Sequence, residues 1–409
     1  MNLQKLRSDT PCENVYLNHV STSVPPKQVL EAMNEYFSIA VQYGSTSAKA
    51  QEMTAERFNR ASHSIASLIG AHDDEILFVP NGSQAIGMVV AGLRVAPGDN
   101  VVVDEMSFIS NVAPFLRLKE LYGLEVRFAP AKLPGLVDLD AMENLIDGRT
   151  KMVALCHMAN NLGMVQPAAA VGKLARAAGT LYLLDAANTA GIVPIDVDEI
   201  GCDFLAVSGR KYLRGPAGSA FLYARSSRVD EIEPVFATWN NGLWDWREND
   251  WDWSKNRFTP HKGIDRLNFG EVNFPAAFGL GRAVEYIEEI GGVPAIKERV
   301  DLLLDRMIAG MRKLPDVEVY GSPDASQHGG MIGFNVKGIP FDALGRYINA
   351  NNVGIMAHSF YSPGVLKLFG IQGVARYCVH CWNTEEEIDY AVSLLEPEKL
   401  ARLRGESGQ

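Results

Sequence analysis

Residues 181–216 read LYLLDAANTAGIVPIDVDEIGCDFLAVSGRKYLRGP. This stretch contains two apolar runs, 181–185 and 204–208, and each run ends on a polar residue. Apolar runs of this length without polar alternation are typical of parallel strands that helices cover on both faces. The stretch therefore predicts two neighbouring strands of a mostly parallel α/β sheet.

Similar runs occur upstream and alternate with helix-length segments, as expected for such a sheet: ILFV at 76–79, VVVD at 101–104, VRFA at 126–129 and MVALC at 152–156. We expect a large domain at 16–285. Residues 286–409, joined by 1–15, are expected to form a smaller α+β domain. The helical pattern at about 274–313, strands near 331–336 and 353–356, and a closing helix from Thr384 support this division.

Composition limits the class of protein. The chain has 409 residues, a hydrophobic content of 47% and a net charge of −11, so it can bury a large core but carries no basic patch for nucleic acid. No apolar run reaches bilayer length and no secretory leader is recognisable, which favours a cytoplasmic enzyme without a membrane partner.

Five cysteines are too few and too scattered for a secreted disulfide framework. Cys378 and Cys381 form a CxxC, but no second pair accompanies it and it lies in an apolar run that we expect to form a strand. We therefore predict no metal site.

Asp185 and Lys211 follow neighbouring strands. An Asp after a strand is commonly a helix cap, and a Lys there is commonly a solvated tip. Together at the carboxyl edge of a parallel sheet, where ligands bind, they indicate pyridoxal 5'-phosphate (PLP). The acid can hold the pyridine nitrogen protonated, and a desolvated lysine can join the cofactor covalently and act as the catalytic base.

A phosphate site is predicted where the strand at 76–79 leads into a helix. The backbone amides of a helix N-terminus attract anions, although a plain N-cap is the alternative. The residues we expect at the phosphate are Gly82, Ser83 and Gln84, with Ser208 and Arg210 from the lysine segment.

The chain resembles the class V aminotransferases, the cysteine-desulfurase-like branch of the fold-type I PLP-dependent transferases, from Tyr16 to about residue 396. The resemblance implies a homodimer with active sites at the subunit interface and an amino-acid substrate. It assigns cofactor contacts to Phe108, Asn160, Asn188 and Asn273, and substrate contacts to Arg376, His19 and Ser359. Of these, Arg376 would hold the substrate α-carboxylate as a planar fork.

Two residues depart from the desulfurase pattern. Phe108 takes the place of a histidine over the cofactor ring, and a phenyl ring can stack but cannot move protons. Ser359 falls near the mobile-loop cysteine of one desulfurase group, and a hydroxyl cannot accept sulfane sulfur. Ordinary cysteine desulfuration is therefore disfavoured.

Two further features have open interpretations. Glu271 stands where the family has a threonine that reaches the partner's phosphate, so either the segment has moved or the acid binds a cationic part of the substrate. The Trp-rich stretch 239–253 is either a packed flap or dimer contact, or an aromatic wall of the substrate pocket.

With the ring-stacking aromatic Phe108, the run GRKYLRGP at 209–216 and the run NTEEE at 383–387, the chain resembles hercynylcysteine-sulfoxide lyases and isopenicillin-N-epimerase-like proteins. It also resembles lincosamide-pathway enzymes that process S-cysteine conjugates. This favours a carbon–sulfur β-lyase in which Lys211 takes the α-proton and the β-sulfur leaves. Transamination, decarboxylation, epimerisation and a desulfurase-like reaction are the alternatives. A catalytically inactive binding protein is disfavoured because Lys211, Asp185 and Arg376 are all present.

Overall fold

The computed structural model describes residues 1–244, 258–359 and 361–406. The strands, numbered along the chain, are β1 (Val15–Tyr16), β2 (Ile76–Val79), β3 (Asn100–Asp104), β4 (Glu125–Ala129), β5 (Ala131–Lys132), β6 (Leu136–Val137), β7 (Thr150–Cys156), β8 (Leu181–Asp185), β9 (Phe204–Ser208), β10 (Ala220–Ala224), β11 (Gly242–Trp244), β12 (Phe258–Pro260), β13 (Val317–Tyr320), β14 (Met331–Val336), β15 (Val353–Gly354), β16 (Met356–His358) and β17 (Val374–Cys378).

The helices are α1 (Leu3–Asp9), α2 (Lys27–Tyr43), α3 (Ala48–Ile69), α4 (Gly82–Ala91), α5 (Ala113–Tyr122), α6 (Leu139–Leu145), α7 (Ala168–Ala178), α8 (Val197–Ile200), α9 (Phe274–Glu289), α10 (Gly292–Met311), α11 (Phe341–Ala350), α12 (Pro363–Phe369), α13 (Glu385–Ser393) and α14 (Pro397–Glu406). Short 3-10 turns lie at Asp73–Glu75, Ile109–Asn111, Val229–Glu231, Ile264–Leu267 and Ala325–Gln327.

The large sheet has the order β2-β10-β9-β8-β7-β3-β4 in the described part of the chain. Only β10 runs antiparallel to its two neighbours, so the mostly parallel α/β sheet that the sequence predicts is confirmed. The six apolar runs quoted above correspond to β2, β3, β4, β7, β8 and β9, with ends that agree within two residues.

Successive residues of the inner strands enter two different cores. Val102 belongs to the same core as residues of α3, α6 and α7, whereas Val101 and Val103 belong to a second core with residues of α4 and α5. Because side chains alternate across a strand, both faces must be apolar, which explains the missing polar alternation. The helices therefore fix the sheet from both sides and leave its carboxyl edge open to the loops.

A smaller antiparallel sheet, β13-β14-β17-β16, lies in the C-terminal part. The predicted helical region at 274–313 consists of α9 and α10, which meet at Ile290 and Gly291, and α9 packs against α2 and α3. An ion pair of 2.6 Å between Arg7 of α1 and Glu387 of α13 ties the N-terminal segment to this part. The boundary near residue 285 stays a prediction.

The strand expected through the CxxC is shorter than predicted. It ends at Cys378: the N–H of Val379 still donates to the backbone O of Gly330 at 2.8 Å, but side chains accept from the two amides after it. The N–H of His380 donates to Asn383 Oδ1 at 2.9 Å, and the N–H of Cys381 donates to His380 Nδ1 at 2.8 Å. The segment therefore turns instead of continuing.

The Trp-rich stretch is only partly described. Its first tryptophan, Trp239, is 72% exposed, and β11 pairs with β12 just after it. Residues 245–257 lie outside the described residues, so both interpretations of this stretch stay predictions. No helix in the described part of the chain is long and apolar enough to cross a bilayer.

Candidate active site

Lys211 and Asn188 meet at the carboxyl edge of the large sheet. Lys211 follows β9 in the chain, and Asn188 follows β8. The ammonium of Lys211 donates a hydrogen bond to Asn188 Oδ1 at 2.7 Å. Burial lowers the pKa of Lys211 to about 8, and the nearby charge of Asp185 opposes this effect. A buried amine with a lowered pKa is partly neutral near physiological pH, which covalent attachment of a carbonyl compound requires.

Asp185, the last residue of β8, is 4% exposed. Its carboxylate accepts the N–H of Ala187 at 3.0 Å. Burial raises the pKa of Asp185, and the charge of Lys211 acts in the opposite direction. A buried acid without a full salt bridge is suited to hold a protonated ring nitrogen.

The turn around Lys211 is held by backbone bonds. The N–H of Gly209 donates to Ser219 O at 2.9 Å, and the N–H of Gly215 donates to Gly209 O at 2.8 Å. A Cβ on Gly209 would lie 2.4 Å from Ser219 Oγ, so only glycine fits here. The tight turn fixes the direction in which Lys211 leaves the sheet.

The predicted phosphate residues are brought together in part. Ser83, at the start of α4, lies 2.8 Å from Ser110 between the two hydroxyl oxygens. A Cβ on Gly82 would lie 3.8 Å from the N atom of Ser208, so the start of α4 lies beside the end of β9. Gln84 lies in the first turn of the same helix, where its N–H donates to Asn81. The hydroxyls of Ser83 and Ser110 thus meet at the start of α4, whereas the Asn81 cap accepts from the Gln84 amide, and the phosphate site stays a prediction.

Arg210 is turned toward the N-terminal segment. Its guanidinium donates to the carbonyl oxygen of Ser21 and the hydroxyl of Thr22. The N–H of Ser23 also donates to Arg210 O at 2.7 Å. The structure therefore shows a tie between residues 21–23 and the lysine turn, and the predicted phosphate contact of Arg210 stays a prediction.

Phe108 faces Lys211 across the site, with 5.8 Å between the Nζ and the ring centroid. Phe108 also packs against Tyr361 at a centroid distance of 5.4 Å. The N–H of Ile109 donates to Tyr361 O at 3.0 Å, which fastens the loop before α12 to the Phe108 segment. An aromatic wall therefore stands opposite the lysine.

Arg376 lies in β17 and is fully buried. Its guanidinium donates to both the carbonyl and the side-chain oxygen of Asn160, to His358 Nε2 at 2.9 Å and to Ser21 Oγ at 2.5 Å. Burial, reinforced by the guanidinium, lowers the pKa of His358 to about 3, so this partner is neutral. In the described part of the chain Arg376 thus has neutral partners alone, and a substrate carboxylate would supply the missing charge.

Three predicted residues lie apart from this group. His19 is fully buried among Tyr16, His380 and Trp382, where its Nδ1 bonds Ser23 at 2.7 Å. Asn273 is exposed and caps α9, and the neighbouring Glu271 is exposed as well. Ser359 is exposed beside His358. The roles assigned to His19, Asn273 and Ser359 stay predictions.

Sequence reasoning missed several residues of the site. Asp104 ends the apolar run VVVD just as Asp185 ends LYLLD, and the same signal would have found it. Ser21, His358 and Tyr361 come from segments far apart in sequence, and no local pattern marks them. Only the folded chain brings them to Arg376 and Phe108.

This donor set fits PLP. Lys211 offers an amine, Asp185 an acid for the ring nitrogen, Phe108 a face for the ring, and the start of α4 hydroxyls and amides for the phosphate. Among the described residues, no group of three or more histidine, cysteine or acidic side chains is placed to hold a metal ion.

A family model described as aminotransferase class-V matches residues 15–391. The chain belongs to this family. It is therefore a PLP-dependent enzyme, and the predicted family and cofactor are confirmed. The finer placement beside hercynylcysteine-sulfoxide lyases and lincosamide-pathway enzymes stays a prediction.

Known relatives are similar to this chain over nearly its whole length. A probable cysteine desulfurase of Methanothermobacter thermautotrophicus is 31% identical over 407 residues, which cover 97% of this chain and 98% of the relative. The apo structure of a cysteine desulfurase from Thermococcus onnurineus NA1 has a TM-score of 0.89 and 28% identity, with 98% of each chain covered. A C-DES mutant with glycine covalently linked to the PLP cofactor has a TM-score of 0.84 and 21% identity, covering 95% of this chain and 98% of that one, which shows the shared fold.

Proposed function

We propose that this class V enzyme is a carbon–sulfur β-lyase that acts on an S-substituted cysteine. When bound, PLP supplies an electron sink that stabilises negative charge at the substrate α-carbon. The observation that carries the proposal is the loop beside Phe108, which presents His358, Ser359 and Tyr361 and no thiol.

Arg376 would bind and orient the substrate. A fully buried guanidinium with neutral partners is unfavourable until an anion arrives, and an α-carboxylate has the geometry of its planar fork. Asn160 accepts from Arg376 and therefore fixes the guanidinium in one orientation. The carboxylate contact thereby sets the position of the α-carbon relative to Lys211.

Lys211 would move the proton. The amine of Lys211, whose pKa burial lowers to about 8, would be partly neutral and able to take the substrate α-proton when it is not joined to the cofactor. Asn188, which accepts a hydrogen bond from Lys211 at 2.7 Å, orients the amine. Phe108 cannot carry a proton, so Lys211 is the base that this arrangement offers.

A cysteine desulfurase is the second candidate, because the relatives carry that name. Such a reaction leaves sulfur on an acceptor thiol in the protein. In this chain Cys156, Cys202, Cys378 and Cys381 are buried, and Cys12 is half-buried near the N-terminus. The thiol of Cys156 donates to Met158 O at 3.3 Å and so points into the protein. No cysteine stands in the loop beside Phe108, which disfavours this candidate.

Product analysis separates the candidates. The PLP-loaded protein is incubated with S-alkyl cysteines and with free cysteine, and pyruvate, ammonia and thiol are measured. A lyase releases all three in equal amounts from the S-alkyl substrates. Alanine from free cysteine, together with a protein persulfide, would instead establish a desulfurase. A keto acid that retains its sulfur would establish a transaminase.

We also propose that the enzyme works as a homodimer. The outer face of α2 exposes Phe37 and Val41, which are 53% and 89% exposed. Beside it, a cavity of about 500 Å³ is lined largely by apolar side chains, including Tyr36, Phe58 and Phe274. Apolar surface of this kind is typical of an interface. A Val41→Glu variant should shift the mass measured by light scattering from two chains to one, whereas an unchanged mass would place the interface elsewhere.

A further inference from the structure

Asp104 ends β3 at the same edge of the sheet at which Asp185 ends β8, and β7 runs between the two strands. Asp104 is 1% exposed, and no cationic side chain pairs with it in the described part of the chain. A buried carboxylate without a cation is costly unless hydrogen bonds compensate it. Such a residue needs a structural or functional reason.

One carboxylate oxygen of Asp104 accepts hydrogen bonds from two different segments of the cofactor site. Its Oδ2 accepts the hydroxyl of Ser107 at 2.6 Å and the backbone N–H of Cys156 at 2.8 Å. Ser107 directly precedes Phe108 in the chain, and its Oγ also accepts a hydrogen bond from Asn111 at 2.8 Å. Cys156 is the register partner of Asp185 in the neighbouring strand. The carboxylate therefore links the segment that carries Phe108 to the strand pair that carries Asp185.

The charge of Asp104 also acts on Asp185 at the carboxyl edge of the large sheet. Burial raises the pKa of Asp104 to about 6, and the charge of Asp185 adds to this effect. The titratable groups that face Asp104 are Cys156 on β7 and both Tyr182 and Asp185 on β8. Lys211 acts on Asp185 and Cys156 from the turn after β9.

We propose that Asp104 is a positioning residue that holds Phe108 and Asp185 in fixed relation and places a second negative charge behind the acid that faces the ring nitrogen. The proposal rests on the role proposed for Asp185. A neutral residue could accept the same hydrogen bonds, but it would not raise the proton affinity of the site. Both effects act on the bound cofactor, so its absorbance reports them without turnover.

The test is the pH titration of the absorbance of the bound cofactor in Asp104→Asn. Loss of a neighbouring negative charge lowers the pKa of a cationic group, so the midpoint should fall by about one unit. Asp203→Asn is the matched control, because Asp203 is also a largely buried acid that accepts a strand amide, that of Tyr182 at 2.9 Å, but at the opposite end of β8. The control midpoint should stay at the wild-type value.

Ser107→Ala tests the positioning effect by itself, because it removes the hydrogen bond that Ser107 donates to Asp104 and the one that it accepts from Asn111, but keeps the charge of Asp104. We expect the dissociation constant of PLP, measured by fluorescence titration, to rise by at least about five-fold, the effect of losing one hydrogen bond, with an unchanged absorbance midpoint. If the dissociation constant of PLP is unchanged in Ser107→Ala, the positioning claim is overturned. This test stands even if Asp104→Asn does not fold.

Asp185→Asn separates the inference from the assignment beneath it. If Asp185→Asn leaves the absorbance titration unchanged, the role proposed for Asp185 fails and the inference fails with it. If Asp185→Asn shifts the midpoint of the absorbance titration while Asp104→Asn leaves it at the wild-type value, as Asp203→Asn should, only the inference about Asp104 fails.

Discussion

The Nζ of Lys211 lies 2.7 Å from Oδ1 of Asn188, and this hydrogen bond joins the turn after β9 to the turn after β8. Neighbouring parallel strands deliver both residues to one edge, and the bond fixes the direction of the amine.

Replacing Lys211 with Ala should abolish covalent attachment of PLP. The buried amine beside Asn188 is the group placed to form the bond. After borohydride reduction, mass spectrometry of the peptides should find the cofactor on Lys211 in the wild type and on no peptide in the variant. Lys297→Ala, which changes a lysine of α10 that pairs with Asp301, is the control and should keep the label. A labelled lysine elsewhere would overturn the assignment.

Attachment of PLP should speed up with rising pH through about 8. The neutral amine reacts, and the lowered pKa of Lys211 means that this form grows as pH rises from 7 to 9. Asp185 raises the pKa of Lys211, so Asp185→Asn should move the midpoint of the rate profile to lower pH. Stopped-flow absorbance gives the profile. A midpoint near that of a free lysine would contradict burial as the dominant cause.

Arg376→Lys should weaken substrate binding while leaving cofactor attachment intact. A lysine keeps the charge but loses the planar fork, and disruption of a buried charge contact costs about 2–5 kcal/mol, or roughly 30-fold or more in affinity. KM for the amino acid should rise accordingly. Arg306→Ala, at an exposed ion pair with Asp389, is the control. An unchanged KM would remove Arg376 from the substrate site.

Phe108→Leu should reduce the affinity for PLP by about three- to ten-fold, because an aromatic contact contributes about 0.5–1.5 kcal/mol beyond burial. Leucine keeps an apolar side chain at the position but cannot stack. Fluorescence titration of the cofactor-free protein measures the change. Ile109→Ala, an exposed neighbour, should leave the affinity unchanged. Equal effects of the two variants would argue that Phe108 does not contact the ring.

Gly172→Ala should destabilise the large sheet. A Cβ on this helical glycine would lie 1.8 Å from Ile200 O, so α7 must move away from α8 at a cost of about 1–3 kcal/mol. Gly87→Ala is the matched control in α4, where a Cβ would meet nothing within 4 Å. The melting temperature should fall for the first variant and stay or rise slightly for the second.

The predicted elements agree with the structure where a local pattern is strong. Continuous apolar runs predict the inner strands because both sheet faces are covered, as Val101 and Val102 show by packing in opposite cores. The pattern fails at Cys378–Cys381, where side chains accept the hydrogen bonds of the His380 and Cys381 amides and the strand ends. The apolar composition of that run contains no signal for those bonds.

The α/β class, the family, the cofactor and the positions of Asp185 and Lys211 after their strands are predictable from the sequence, because each depends on the end of a strand and on residues close to it. The surroundings of these two residues depend on the tertiary fold. It brings Ser21, Asn160 and His358 to Arg376, and packs Tyr361 against Phe108. These contacts join segments up to 355 residues apart. They form because β17 of the small sheet and the N-terminal segment both meet the residues that follow the strands of the large sheet.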